Sequence, residues 1–306
     1  MARSPMSDEA ARDTTATRAA TELQRRLAEP LAPGLYVVAT PIGNLADITL
    51  RALATLAAAD LICCEDTRHS RTLLSHYAIS RPLRALHEHN EADEAVRIVA
   101  MIAGGKAVAL ISDAGTPLVS DPGYRLVKAV IAAGRQVYPV PGPSALIAGL
   151  TVSGLPSDTL VFAGFPPPRQ AARRTRLLSL LAMPATLILY EAPGRLTELL
   201  ADLAELAGDR EVVMARELTK RFEEVRRGTP ASVLAGLAVP VKGEIVVLVA
   251  PPQPREVTDD DIAAALAALP EGTSLKDAAR AVADRLKVPR TRVYDLGLKA
   301  RSDDRS

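Results

Sequence analysis

From residue 35 onward, short runs of β-branched and aliphatic residues alternate with stretches in which apolar positions recur every three or four residues. The runs at 35–39, 61–64, 83–86, 107–111 and 136–140 predict strands. Helices between them have legible starts: Asp47 as a cap before Leu50, Leu53 and Leu56; Asn90 before the apolar positions of 96–103; Asp121 before Pro122, a cap followed by proline at the first helical position. This alternation predicts a mainly parallel sheet covered on both faces. In such sheets the ligand site lies beyond the carboxyl ends of the strands.

A further helix follows Pro143, and the break Gly154-Leu155-Pro156-Ser157-Asp158 then reads as a joint between domains. Strands are predicted at 160–163, 186–190, 211–215 and 244–249, and helices at 169–181 and 195–207. The long connection at 218–228 leaves room for a mixed sheet. Pro251, Pro252 and Pro254 mark a stiff linker. Three helical patterns follow at 259–269, 274–286 and 290–300, the last two joined by Lys287-Val288-Pro289, a length that suits a helix-turn-helix corner. The expected organisation is a largely disordered extension at 1–33 with a transient helix around 17–28, an α/β domain at 34–153, a second at 154–250, a linker at 251–258 and a helical appendage at 259–306.

With 306 residues, the chain is long enough for two α/β domains. Its apolar content is mostly alanine and leucine, with no tryptophan, so the core is expected to be aliphatic. A net charge of +1 assigns no partner, and any nucleic-acid surface must come from local clusters. Arg169, Arg173, Arg174 and Arg176 form a run without acids, and Lys220, Arg221, Arg226 and Arg227 outnumber Glu223 and Glu224. Between 271 and 306 there are nine Lys or Arg against six Asp or Glu. A charge run is ordinarily a solvated helix face, but two beside one cleft favour RNA. The adjacent Cys63 and Cys64 point to opposite faces of a strand and read as packing, which suits a reducing cytoplasm. No apolar run approaches the ~20 residues of a membrane span, and the first 33 residues lack the centre of a signal peptide.

Behind the first strand, a dinucleotide fold carries several closely spaced glycines; here Ala39-Thr40-Pro41-Ile42-Gly43-Asn44 has one. Two more proline- and glycine-bearing loops, at 111–123 and 139–144, leave predicted strands at the same sheet edge. Such loops fix the backbone path and leave amides and carbonyls exposed, enough to read an adenine edge and hold a ribose. Asp113, at the end of its strand, suits ribose hydroxyls or a ligand ammonium; a turn-capping role is the alternative.

Five motifs in order, Thr40-Pro41-Ile42-Gly43-Asn44-Leu45-Ala46-Asp47-Ile48-Thr49, Cys64-Glu65-Asp66-Thr67-Arg68, Leu86-His87-Glu88-His89-Asn90-Glu91, Ser112-Asp113-Ala114-Gly115-Thr116-Pro117 and Ala215-Arg216-Glu217-Leu218-Thr219-Lys220, give the chain a resemblance from about residue 35 to its C-terminal helices. It resembles the ribosomal RNA small subunit methyltransferase I family of the tetrapyrrole methylase superfamily. The resemblance implies two α/β domains with S-adenosylmethionine in the cleft between them, a homodimer, and 2′-O-methylation of a decoding-region cytidine, with 16S rRNA or the 30S subunit as partner. Carried over position by position, it places the cofactor against Pro41, Gly43 and Asn44, against Ser112, Asp113, Gly115 and Pro117, and against Pro141, Gly142, Ser144 and Ala145. The second domain would add Phe165, Tyr190, Glu191 and Ala215. Three departures from the family pattern stand out: Ala39 replaces an opening proline, Gly194 stands where a histidine is expected, and Phe165-Pro166-Pro167-Pro168-Arg169-Gln170 lacks the usual lysine.

Methyl transfer to a ribose hydroxyl is an in-line displacement that needs alignment, a dry cleft and a base. Glu65, Asp66, His87 and His89 are the catalytic candidates, with Glu217 a further titratable group near a strand end. For Glu65 and Asp66 the competing role is helix capping, and for the histidines, which share one strand parity, a helix-entry hydrogen bond. Arg68, Arg169, Arg173, Arg174, Lys220, Arg221, Arg290 and Arg292 are the RNA-binding candidates. Two histidines without a matching carboxylate motif predict no metal. The competing functions are a precorrin or uroporphyrinogen methyltransferase and a ligand-sensing regulator whose terminal helices read duplex DNA.

Overall fold

Five strands, β1 (Gly34–Val38), β2 (Leu61–Cys64), β3 (Leu83–Ala85), β4 (Ala107–Leu110) and β5 (Val137–Val140), form a parallel sheet of order β3-β2-β4-β1-β5. In this computed structural model residues 5–87, 89–253, 257–270 and 273–303 are described. β2 and β4 are buried along their whole length, which is why their sequences are unbroken apolar runs. Helices α2 (Leu50–Ala58), α3 (Thr67–His76), α4 (Glu91–Ala103) and α5 (Tyr124–Ala132) cover the sheet. One core holds Val38, Leu56, Ile62 and Cys64; the other holds Leu35, Cys63, Ile98, Leu110 and Leu126. The two cysteines thus lie in different cores as free thiols, and burial pushes Cys63 up to about 12, which makes it inert.

The second sheet is mixed. Strands β6 (Leu160–Phe162), β7 (Thr186–Glu191), β8 (Val212–Arg216), β9 (Glu224–Gly228) and β10 (Ile245–Val249) take the order β6-β7-β10-β8-β9, with β6 parallel to β7 and the other pairs antiparallel. Helices α7 (Gln170–Leu181), α8 (Leu196–Ala207) and α9 (Pro230–Ala235) pack on one face. The other face is covered by α6 (Ala145–Ser153), which leaves the first sheet after β5. α6 is apolar nearly all round, with Gly149 and Ser153 buried and Ile147 left exposed on its outer side. Gly149 lets it approach: a Cβ there would lie 3.0 Å from Cγ1 of Val246. Both sheets belong to one compact unit, Met1–Pro252, and Gln253–Ser306 forms a second.

In the second unit, α10 (Asp259–Ala267), α11 (Leu275–Leu286) and α12 (Arg290–Asp303) pack around Ile262, Ala279, Val282 and Val293. Thr258 and Asp261 form a capping box on α10, and Ser274 caps α11. Residues 254–256 of the expected linker lie outside the described residues, as do residues 1–4 and Glu88. Among the described residues no helix is long and apolar enough to cross a membrane.

Several local expectations are corrected. Where 1–33 was expected to be largely disordered, α1 (Pro5–Leu27) is a 23-residue helix packed along α2. Its alanine-rich sequence favours helix, and ion pairs from Arg25 and Arg26 to Glu22, three and four residues back, support its last turns. Thr49 rather than Asp47 caps α2, accepting the N–H of Ala52. Asp121 does not cap α5, whose N-terminus is closed by a residue from another helix. β9 was not predicted as a strand: its charged sequence suits the sheet edge it occupies.

Candidate active site

Three loops leave the carboxyl ends of β1, β4 and β5 and are stitched to one another. Thr40 and Gly115 exchange both backbone hydrogen bonds, N to O at 2.8 and 3.0 Å, which joins the first loop to the second. The Thr116 hydroxyl donates to the carbonyl of Pro143 at 3.0 Å, joining the second to the third. Asn44 N–H donates to Oγ1 of Thr219 at 3.2 Å, which ties the first loop to the β8–β9 connection of the second sheet. In that connection Glu217 and Thr219 sit at φ 52° and 66°, in the left-handed region. Glu217 accepts from Nζ of Lys220 at 2.9 Å and from the N–H of Glu244 at 3.0 Å, so the turn is held from two sides.

These loops and the end of the second sheet enclose a cavity of about 400 Å³. Apolar walls come from Ile42, Ala145, Phe165, Ala215, Leu218, Ile245 and Val246. The charged lining is wholly acidic: Asp113, Asp121, Glu191 and Glu244, and among the described residues no Lys, Arg or His lines the cavity. Glu191 is 2 % exposed; its Oε1 accepts from the N–H of Ala192 at 2.8 Å and pairs with Arg195 at 2.7 Å, while its buried Oε2 has no partner among the described residues. Such a cavity favours a cation carrying hydrogen-bond donors and disfavours a phosphate. Tyr190 packs edge-on against Phe162 and Phe165, and its phenol accepts the N–H of Leu146 at the start of α6. Burial pushes that phenol's pKa up.

Of the carried-over cofactor residues, Asp113, Gly115, Ala145, Phe165, Tyr190, Glu191 and Ala215 line this cavity. Pro41, Gly43, Asn44, Ser112, Pro117, Pro141, Gly142 and Ser144 do not line it but build the loops around it. Pro41 and Pro117 are buried, and the hydroxyl of Ser112 donates to the carbonyl of Ala114 at 3.2 Å. Gly43 lies against the stem of Lys220, and Gly142 against Ala39. Gly194 faces open space, so a side chain there would meet nothing nearby.

Among the catalytic candidates, Asp66 takes the capping role: its carboxylate accepts from the N–H of Arg68 at 2.8 Å and pairs with that guanidinium at 3.1 Å, which holds it down at about 2. Its own N–H donates to Oδ1 of Asp113 at 3.1 Å. His87 and His89 are exposed and lie past the end of β3, so the strand-parity argument does not apply to them. His87 N–H donates to Oδ1 of Asn90 at 2.7 Å, and its carbonyl accepts from Glu91 at 2.9 Å, the helix-entry role. Glu65 is half-buried and close enough for its charge to act on Asp121. Asp121 is the residue that sequence reasoning missed, because Asp-Pro reads as a cap and proline start.

The arginine run is also corrected. Arg173 is 2 % exposed, with Nε on Asp202 at 2.7 Å and Nη1 on Glu198 at 3.0 Å, and Arg174 pairs with Asp202 and Glu205 at 3.2 and 2.6 Å. The acids absent from the run itself arrive from α8, so these two arginines brace helices rather than reach phosphate. Lys220 is committed to Glu217 and Glu244, Arg292 pairs with Asp259 at 2.6 Å, and Arg290 donates to the carbonyl of Lys276 at 3.3 Å. Arg68 and Arg169 are exposed, and Arg221 stands 5.6 Å from the ring centre of an exposed Phe222.

Comparison with known proteins accords with this geometry. The family model described as Tetrapyrrole (Corrin/Porphyrin) Methylases matches residues 34–234. The chain is 56 % identical over 238 residues to Ribosomal RNA small subunit methyltransferase I of Mesorhizobium japonicum, covering 77 % of this chain and 81 % of that one. It is 47 % identical over 272 residues to the protein of the same name from Pseudomonas aeruginosa, covering 87 % and 96 %. Among solved structures it is similar to the methyltransferase CobJ, at TM-score 0.54 and 22 % identity over 71 % of this chain and 94 % of that one, a likeness of fold. The chain therefore belongs to the tetrapyrrole methylase family and, within it, to the ribosomal RNA small subunit methyltransferase I group.

Proposed function

We propose that the chain transfers the methyl group of S-adenosylmethionine to the ribose 2′-oxygen of a decoding-region cytidine in 16S rRNA. The observation that carries this reading is the acid-lined cavity of about 400 Å³ with the unpartnered Oε2 of Glu191 in its wall. S-adenosylmethionine supplies an electrophilic methyl group on a cationic sulfonium, and its ammonium and hydroxyls are the donors such a wall lacks. Tyr190, Ala215 and Val246 give the cavity an apolar side, which favours a displacement in which charge disappears. Asp113 holds the loop of Asp66 at the cavity edge, and the Thr40–Gly115 bridge fixes the floor.

RNA phosphates stay outside an acidic cavity, so the nucleic acid lies along the rim. Arg169 and the Arg221–Phe222 pair supply exposed charge and a stacking ring for it. The names of the relatives agree with an rRNA substrate. A homodimer acting in the cytoplasm on the assembled 30S subunit completes the reading. The test offers labelled S-adenosylmethionine with naked 16S rRNA, 30S subunits and uroporphyrinogen in separate reactions, followed by mapping of the labelled nucleotide. Label in the ribose of one 16S cytidine is expected, with 30S the better acceptor; label in the tetrapyrrole alone overturns it.

A further inference from the structure

Asp121 reaches the cavity on a backbone arranged for that purpose. Leu118 and Ser120, neither of them glycine, hold φ 74° and 71° in the left-handed region, where strain persists only if the surroundings enforce it. Ser120 is exposed, and its Oγ lies beside Gly164 just past β6, where a Cβ would stand 3.2 Å away. The following Gly123 has φ 126°, and a Cβ there would meet Leu110 at 2.7 Å, so the chain turns sharply into α5 directly after Asp121. An Asp-Pro pair at this place ordinarily caps the helix. Here Oε1 of the buried Glu91 accepts the N–H groups of Gly123, Arg125 and Leu126 at 3.2, 2.6 and 3.1 Å instead.

The Asp121 carboxylate is therefore released from capping and lines the cavity, half-buried. The Ser112 hydroxyl lies beside it, and it faces Glu65 from the β2–α3 connection, Asp113 from the end of β4 and Tyr190 from β7. Glu191 and Glu244 share the cavity, and among the described residues no cationic side chain lines it. Burial and then the charge of Glu65 push the Asp121 carboxyl up to about 6, with Ser112 acting against the rise and Asp113 adding to it. A carboxylate in that range is a far better proton acceptor than one at its ordinary value, yet is ionised at neutral pH.

We infer that Asp121 is the group that takes the proton from the attacking ribose hydroxyl, an inference that rests on the methyl-transfer reading above. The hydroxyl oxygen forms the new O–C bond and the C–S bond breaks, its electron pair remaining on a now neutral sulfur. The hydroxyl proton passes to the Asp121 carboxylate and is lost to water after the methylated RNA leaves.

The test compares wild type, Asp121→Asn and Asp121→Glu, with kcat and KM measured on 30S subunits, affinity for S-adenosylhomocysteine by calorimetry, and Tm at neutral pH. Asp121→Asn should lower kcat by about 10²- to 10⁴-fold, with KM and S-adenosylhomocysteine affinity within about threefold of wild type. Its Tm should be unchanged or higher, because a carboxylate held above its ordinary pKa destabilises the fold once ionised. Wild-type kcat should fall about tenfold per pH unit below about 6, and Asp121→Glu should recover part of the lost rate. Asp121→Asn retaining more than about a tenth of wild-type kcat overturns the inference, as does a joint loss of Tm and S-adenosylhomocysteine affinity, the pattern of a structural aspartate. If wild type methylates a tetrapyrrole and not RNA, the parent reading and this inference fall together; if it methylates RNA and Asp121→Asn does so equally, only the inference falls.

Discussion

The phenol of Tyr190 accepts the backbone N–H of Leu146 at 3.0 Å, so a strand of the second sheet holds the first turn of the helix that leaves the first. That N–H is one of the donors that a helix start leaves without an internal partner. Tyr190→Phe should cost about 1 kcal/mol of unfolding free energy, read as a lower urea midpoint at unchanged slope. A midpoint equal to wild type would show that the bond contributes nothing net.

Glu91 is 4 % exposed and gives one oxygen to three amides of a helix not its own. Glu91→Ala leaves those donors buried beside an apolar side chain and should cost about 1.5–3 kcal/mol. Because the same amides fix the chain just after Asp121, S-adenosylhomocysteine affinity should fall as well. Calorimetry and urea denaturation on the same preparation measure both effects.

The Arg173–Asp202 pair predicts a pH dependence of stability. Burial pushes the Asp202 carboxyl up, but hydrogen bonds from Arg173 and Gln170 outweigh it and hold it below its ordinary value. Folded Asp202 therefore releases its proton more readily than in the unfolded chain. Its contribution is present above the ordinary carboxylate pKa and is lost as pH falls through the lowered one. Arg173→Ala should cost about 3–5 kcal/mol at neutral pH by stranding a buried carboxylate, and the penalty should shrink in acid. RNA affinity per folded molecule should be unchanged, and a flattened salt dependence of RNA binding in this variant would return Arg173 to the phosphate-binding role.

Glu191→Gln keeps the shape of the side chain and removes the charge facing the cavity. Affinity for S-adenosylmethionine, which is cationic at sulfur, should drop by about 1–3 kcal/mol, and S-adenosylhomocysteine should lose less. Equal losses for the two ligands would place Glu191 against a group that both carry, away from the sulfur.

The sequence spoke most clearly where one constraint acted alone. Leu61–Cys64 reads as a strand because both of its faces are buried, and α11 reads as a helix because one stripe of it is. β9 was hidden because Glu224, Arg226 and Arg227 carry the charges that protect an edge strand. The site loops were legible from their prolines and glycines, which record backbone geometry locally. Two features were not, for one shared reason: the decisive partner is far along the chain. Nothing near Asp121 reveals that Glu91 has taken its capping role, and nothing near Arg173 reveals that Asp202 neutralises it.

α6 is contributed by the segment that completes the first sheet, yet the surface it buries is Val246, Leu248 and their neighbours on the second. Division of the gene at the Gly154 break would therefore leave one fragment with an unshielded greasy helix and the other with a bare sheet face. Neither piece should fold stably by itself, and the two should reassemble when co-expressed. A chimaera between relatives should join after Val140 rather than at the apparent boundary, so that the helix travels with the layer it shields.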